Sequence, residues 1–137
     1  MDLVKAMEAA ALGMKAQGTR MRVISENLAN ADTTGKTADD NPYQRQVITF
    51  KNVLNRQTGA TDVTVDRITK DKSDFVMKYD PSHPAADAKG YVKMPNVNPL
   101  LEMMDMKEAQ RSYEANLGVI RVSRSMLMHT IGLLGQP

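Results

Sequence analysis

Residues 3–31 read LVKAMEAAALGMKAQGTRMRVISENLANA, and this stretch decides how the chain is built. Leu3, Met7, Ala10, Met14, Gln17, Met21, Ile24, Leu28 and Ala31 recur at alternating steps of four and three. An α-helix turns every ~3.6 residues, so the series lies on one face, and a repeat near 3.5 suits helices that wind around each other. The far end of the chain repeats the pattern through Met103, Met106, Gln110, Tyr113, Leu117, Ile120, Arg124, Leu127, Ile131 and Leu134. The middle of the chain does not. Two striped helices bracketing a polar middle suit a part that is built into something, not a freestanding catalyst.

Local chemistry places the boundaries. The first helix is predicted over residues 3–30, rich in Ala, Met, Lys, Glu and Leu. Gly13 and Gly18 each weaken it by about 1 kcal/mol relative to Ala, so its N-terminal half is expected to need a partner helix. Asn30, Asp32 and Gly35 tolerate left-handed backbone and are expected to close it. Short β-prone runs follow at 46–50, 62–69, 75–79 and 91–94, with turns at 55–59 and 80–84 and punctuation from Pro42, Pro81, Pro84 and Pro95. Asn98 and Pro99 then read as N-cap and first residue of the last helix. Glu102 and Asp105 suit its positive end, and Arg121, Arg124 and His129 lie towards its negative end. Gly118, Gly132 and Gly135 are expected to soften it towards Pro137. A second apolar row, Val119, Val122, Met126 and Leu133, runs beside its main stripe. One row would pack on the first helix and leave the other for a neighbour; a single wide core face is the alternative. The predicted fold is mainly α with a small β-rich insertion, the terminal helices pairing as a coiled coil. Residues 1–35 form an assembly helix and closing turn, 36–97 the β-rich middle, and 98–137 the second assembly helix.

Composition removes many functions. Among 137 residues there is no Cys, which excludes disulfides, thiolate metal sites and Cys nucleophiles. A net charge of +2 offers no support for nucleic-acid binding. Asp2, Lys5, Glu8 and Lys15 interrupt the first apolar positions, so no secretory signal is expected, and no run approaches the ~20 apolar residues of a membrane span. His83 sits in a Pro-bracketed turn near Asp80 and Asp87, where a structural turn is favoured over a weak metal site. His129 forms no ligand pair with it by spacing. No phosphate loop occurs. The expectation is no enzyme, no cofactor and no metal. Eleven Met and no Trp fit either adaptable interfaces or ordinary helix core.

Three stretches carry a family pattern. Ser25, Glu26, Asn27, Leu28, Ala29 and Asn30, continuing to Gly35, close the first helix, and residues 105–116 open the last. They resemble the paired N- and C-terminal signatures of the bacterial flagellar rod, hook and hook-associated axial proteins. Tyr79, Asp80, Pro81, Ser82, His83 and Pro84, with Met94, Pro95, Asn96, Val97, Asn98 and Pro99, are similar to the segment that marks the C-type proximal rod branch. The resemblance covers almost the whole chain and is least diagnostic over residues 38–78. It implies a self-assembling subunit of the basal-body rod, the drive shaft that crosses the periplasm and passes torque to the hook. It also implies export through the flagellar type III apparatus without cleavage. Its implied partners are the B-type proximal rod protein, distal rod subunits and an adaptor at the rod base. The assembly interface is expected at Leu3, Met7, Met14, Met21, Ile24, Asn27, Leu28, Asn30, Met106, Arg111, Tyr113, Glu114, Asn116, Leu117, Ile120, Leu127 and Ile131. Asn27 and Asn30 suit bonds to backbone of a neighbour or of their own loop, and Arg111 and Glu114 suit a pair on one helix or across a joint. The alternatives are the sibling B-type rod protein and a secretion adaptor or chaperone acting through amphipathic helices.

Overall fold

The structure is a computed structural model and describes residues 2–56 and 59–135. Helix α1 runs Leu3–Ala29, strand β1 Gln46–Leu54, β2 Thr61–Lys70, β3 Val76–Tyr79, β4 Tyr91–Met94 and helix α2 Pro99–Leu134. The two long helices pack on each other, and the β-rich segment is inserted between them in sequence. Every predicted element is present. Of the predicted 55–59 turn, Gln57 and Thr58 lie outside the described residues, as does Pro137 at the predicted soft end of α2.

Both helices begin on a side-chain cap. Asp2 Oδ1 accepts the Val4 N–H at 3.0 Å, and Asn98 Oδ1 accepts the Leu100 and Leu101 N–H groups at 3.1 and 3.4 Å. Each occupies a donor that an α-helix leaves without an internal partner. The closing turn of α1 takes one of the two forms expected of it. No described non-Gly residue has positive φ, and among the glycines only Gly59 and Gly90 do, so the turn needs no left-handed residue. Asn30 closes it by local bonding instead. Its Nδ2 donates to Glu26 O at 2.8 Å, and its Oδ1 accepts from Thr33 Oγ1 at 3.1 Å. Helix α2 stays regular through Gly118 and Gly132 to Leu134.

The chain divides into two compact units. The first comprises Met1–Met21, Thr49–Arg67 and Lys107–Pro137. Here the helices run antiparallel, with Gly13 against Asn116 and Arg20 Nη2 at 3.4 Å from Glu108. Their seam is made of small residues, since Ala10, Ala16, Ala109 and Ser123 are buried. A Cβ on Gly13 would stand 2.8 Å from Asn116 Nδ2, so its place is set by close approach. The outer parts of β1 and β2 also belong to this unit, with Asn55 N donating to Ala60 O at 2.8 Å and Lys51 at 3.4 Å from Asp66.

The second unit comprises Arg22–Ile48 and Ile68–Met106. Its core is Val23, Ile24, Ala85, Val92, Pro95 and Val97, with Asn27 and Glu102 buried among them. Strands β3 and β4 pair antiparallel in the register Val76↔Met94 to Tyr79↔Tyr91. The Tyr79 and Tyr91 rings meet edge to face at 5.3 Å.

Candidate assembly interface

The predicted stripes and the observed seam coincide at some positions and differ by one residue at others. On α1 the stripe members Ala10 and Ile24 are themselves buried, whereas Gly13, Ala16, Val23 and Asn27 each immediately precede a stripe member: Met14, Gln17, Ile24 and Leu28. On α2 the seam passes through Glu102, Ala109, Asn116 and Ser123, one residue before Met103, Gln110, Leu117 and Arg124. In the first unit, where Ala10, Ala16, Ala109 and Ser123 are buried, the physical reason is size, whereas the second unit buries the larger Val23, Asn27 and Glu102. Helices approach most closely where side chains are smallest, and the larger neighbours then flank the contact. Met7, Met14, Met21 and Leu28 are accordingly half-buried, as are Leu3, Met106, Tyr113, Leu117, Ile120 and Leu127. Met103, Gln110, Arg124, Ile131 and Leu134 are exposed.

What remains outside is strongly apolar. Val119, Val122, Met126, Met128, Ile131, Leu133 and Leu134 are all exposed on α2, as are Leu100, Leu101, Met103 and Met104 in its first turns. The stripe reading missed Leu100, Leu101 and Met104. The available signal was four large apolar residues among the five from Leu100 to Met104, more than one helix face can bury. Monomeric soluble proteins rarely leave large contiguous apolar patches exposed.

Within the second unit, Asn27 is the organising residue. Its side chain is 1% exposed and makes four hydrogen bonds. Oδ1 accepts from Gln46 N and Tyr43 Oη, each at 2.9 Å. Nδ2 donates to Gln46 O at 2.9 Å and to Glu102 Oε2 at 3.3 Å. The amide thus pairs with the Gln46 backbone as a neighbouring strand would, and holds the start of β1. Glu102, also 1% exposed, receives Arg45 Nε on its other oxygen. Arg45 Nη1 lies 3.5 Å from Asp71 Oδ2, and Arg45 N donates to Asn96 Oδ1 at 2.8 Å. Asn96 Nδ2 reaches Asp71 O and Ser73. Burial, reinforced by the Glu26 and Glu102 charges, raises the Tyr43 phenol pKa and keeps it a donor. The Asp71 carboxyl is held below its ordinary range, first by the Ser73 N–H and also by Arg45.

The family-specific middle segment builds turns. Asp80 Oδ1 accepts from Ser82 N and Oγ, which lowers its pKa, the hydroxyl contributing most. Asp87 Oδ1 accepts from the Tyr91 and Lys89 N–H groups, with the same effect. His83 Nδ1 accepts the Ala85 N–H at 3.0 Å, and its Nε2 lies 3.4 Å from Thr34 Oγ1. Pro81 and Pro84 shape this loop, Pro95 is buried, and Asn98 caps α2 ahead of Pro99. Among the described residues no cluster of His, Asp and Glu is arranged to hold a metal. No described helix is long and apolar enough to cross a membrane.

Of the expected interface residues, Ile24 and Asn27 are buried in this chain's own core, Asn30 caps its own helix, and Asn116 packs on Gly13 while donating to Ser112 O at 3.1 Å. Arg111 and Glu114 are exposed without an ion pair between them.

Comparison with known proteins identifies relatives along almost the whole chain. A family model described as flagella basal body rod protein matches residues 7–35, and one described as flagellar basal body rod FlgEFG protein C-terminal matches residues 88–133. The chain is 50% identical over 132 residues to the flagellar basal-body rod protein FlgC of Agrobacterium fabrum, covering 96% of this chain and 95% of that one. It is 41% identical to FlgC of Borreliella burgdorferi, covering 98% and 99%, and 39% identical to FlgC of Bacillus subtilis, covering 96% and 97%.

Proposed function

Because this chain belongs to the FlgC family of flagellar basal-body rod proteins, we infer that it works as a structural subunit of the proximal rod, built in through its two terminal helices. The rod-subunit role and the basal-body location follow from the family, and so does assembly with other rod and basal-body proteins. The observation that carries the helical mechanism is the division of labour on α2. Ala109 and Ser123 are buried, while Leu101, Met104, Val122, Met126 and Ile131 are exposed. A chain that meant to stand alone would bury Leu101, Met104, Val122 and Ile131 and expose Ala109; this one does the reverse.

The half-buried stripe residues Leu3, Met7, Met14, Met21, Leu28, Met106, Tyr113, Leu117, Ile120 and Leu127 border that outward surface and complete the interface, together with Arg111, Glu114 and Ile131. Ile24, Asn27, Asn30 and Asn116 contribute indirectly, by holding the helices in register. The middle segment from Tyr79 to Pro84 and from Met94 to Pro99 shapes a lateral surface. The B-type proximal rod protein, the distal rod subunits and the adaptor at the rod base are the neighbours such surfaces meet. Passage through the type III apparatus as an unfolded chain, without cleavage, suits a protein that has no disulfide to break. The rod then crosses the periplasm. The B-type sibling and the secretion adaptor have no support in the relatives described above, which carry the C-type name.

Purified basal bodies test the reading. An epitope-tagged chain is expected in the rod fraction, and deletion of its gene is expected to leave rings without a rod. Complete basal bodies in the deletion strain would refute it.

A further inference from the structure

In the first unit the register of the helix pair runs out before the end of α2. Gly13 faces Asn116 and Arg20 faces Glu108, a register that sets Leu3, the first residue of α1, opposite Met126. Residues 127–134 extend beyond it, about 12 Å of helix at 1.5 Å per residue. Met128, Ile131, Leu133 and Leu134 on that extension are exposed. Arg121 and Arg124 share a face with Met128 and Ile131 by helical spacing. No carboxylate side chain follows Glu114. The extension is therefore an apolar tip behind a basic collar.

The second unit holds a surface of the opposite character. Ala31, Val76, Met77, Met94 and Val97 line a shallow cup, with Asp32 on it. An adjoining hollow shares Asp32, Lys78 and Met94 and adds Asp80 and His83. Two carboxylates thus face one lysine around an apolar floor.

We propose that the cup receives the α2 tip of a second copy of this chain. Met128 and Ile131 fill the apolar floor, and Arg121 and Arg124 meet Asp32 and Asp80. Two different surfaces are joined, so the contact is heterologous and propagates instead of closing as a dimer. Charge complementarity selects the occupant, because the acid-free end of α2 matches the acid-rimmed cup. The inference rests on the rod-subunit reading and adds to it a named joint between copies.

The chain has no Cys, so introduced pairs report cleanly. Full-length Ile131→Cys and Met77→Cys chains, co-expressed and oxidised in isolated basal bodies, are expected to give a disulfide-linked dimer. The double variant is expected to give a ladder. Lys70→Cys in place of Met77→Cys is the control. Arg124→Glu should lower the cross-link yield about tenfold, and Asp32→Arg should restore it. No cross-link above the control, no rescue, or linkage of Ile131→Cys to a chain of different mass would each overturn the joint. Basal bodies that contain the chain but give no cross-link refute the joint alone. Basal bodies that lack the chain refute the rod-subunit reading and the joint together.

Discussion

At the scale of single residues, the buried amide of Asn27 does what a missing strand would do. It satisfies both backbone groups of Gln46 as well as the Tyr43 hydroxyl and Glu102. Asn27→Ala removes all four of these hydrogen bonds, from part-buried groups of Tyr43 and Gln46 and from buried Glu102, at about 1 kcal/mol each. A loss of about 3 kcal/mol in urea unfolding is expected, and a loss below 1 would show that the pairing is dispensable. Asn27→Asp should be worse at neutral pH, since it brings a second carboxylate against Glu102, and should recover partly as pH falls. A different acid response comes from Asp71, Asp80 and Asp87. Their folded pKa values lie below the unfolded value near 3.8. Depressed carboxyls contribute stability above the unfolded pKa and lose it as pH falls through the folded one. The melting temperature should therefore hold down to about pH 4 and drop below it, and an Asp71→Asn/Asp80→Asn/Asp87→Asn chain should drop less steeply. That Asn27 mattered was readable from its signature. That its partners are Gln46 and Glu102 was not, because residues 19 and 75 positions apart are joined only by the fold.

At the scale of elements, two glycines of one helix have opposite meanings. Gly18 faces open space, and Gly18→Ala is expected to stabilise α1 by about 0.5–1 kcal/mol through helix propensity and a less flexible unfolded chain. Gly13 lies where Asn116 crosses, and Gly13→Leu is expected to cost about 2 kcal/mol or more despite leucine's better propensity. Thermal melts of the two variants should move in opposite directions; parallel shifts would mean that the helices do not approach closely at Gly13. Propensity alone treated both glycines as weak points. The helical periods, the strands and the Asn98 cap were legible because each depends on neighbours in sequence. The seam was legible only in part, at Ala10 and Ile24, because amphipathic spacing locates apolar residues and close packing selects small ones.

At the scale of the whole molecule, the outward apolar residues of α2 make a prediction that separates assembly from folding. Leu101→Glu/Met104→Glu should change subunit stability by roughly 0.5 kcal/mol or less, as exposed substitutions do. The same change should abolish entry into the rod, read as loss of the chain from purified basal bodies and loss of swimming. Normal incorporation would remove this surface from the interface. Point changes of this kind are more informative than removal of residues 1–30, which would take Val23, Ile24 and Asn27 out of the core.

The sequence by itself determined the helix–insertion–helix order, the capped start of α2, the absence of cysteine chemistry and, through the signatures at the helix ends, the family. These are local properties, written in spacing and residue type. Only the tertiary structure decided that Ala109 and Gly13 face inward while Met104 and Ile131 face outward, and that Asn27, Arg45 and Glu102 share one buried network. Those choices depend on how closely two helices approach and on which distant backbone groups need partners, and neither is encoded in the neighbourhood of any one residue.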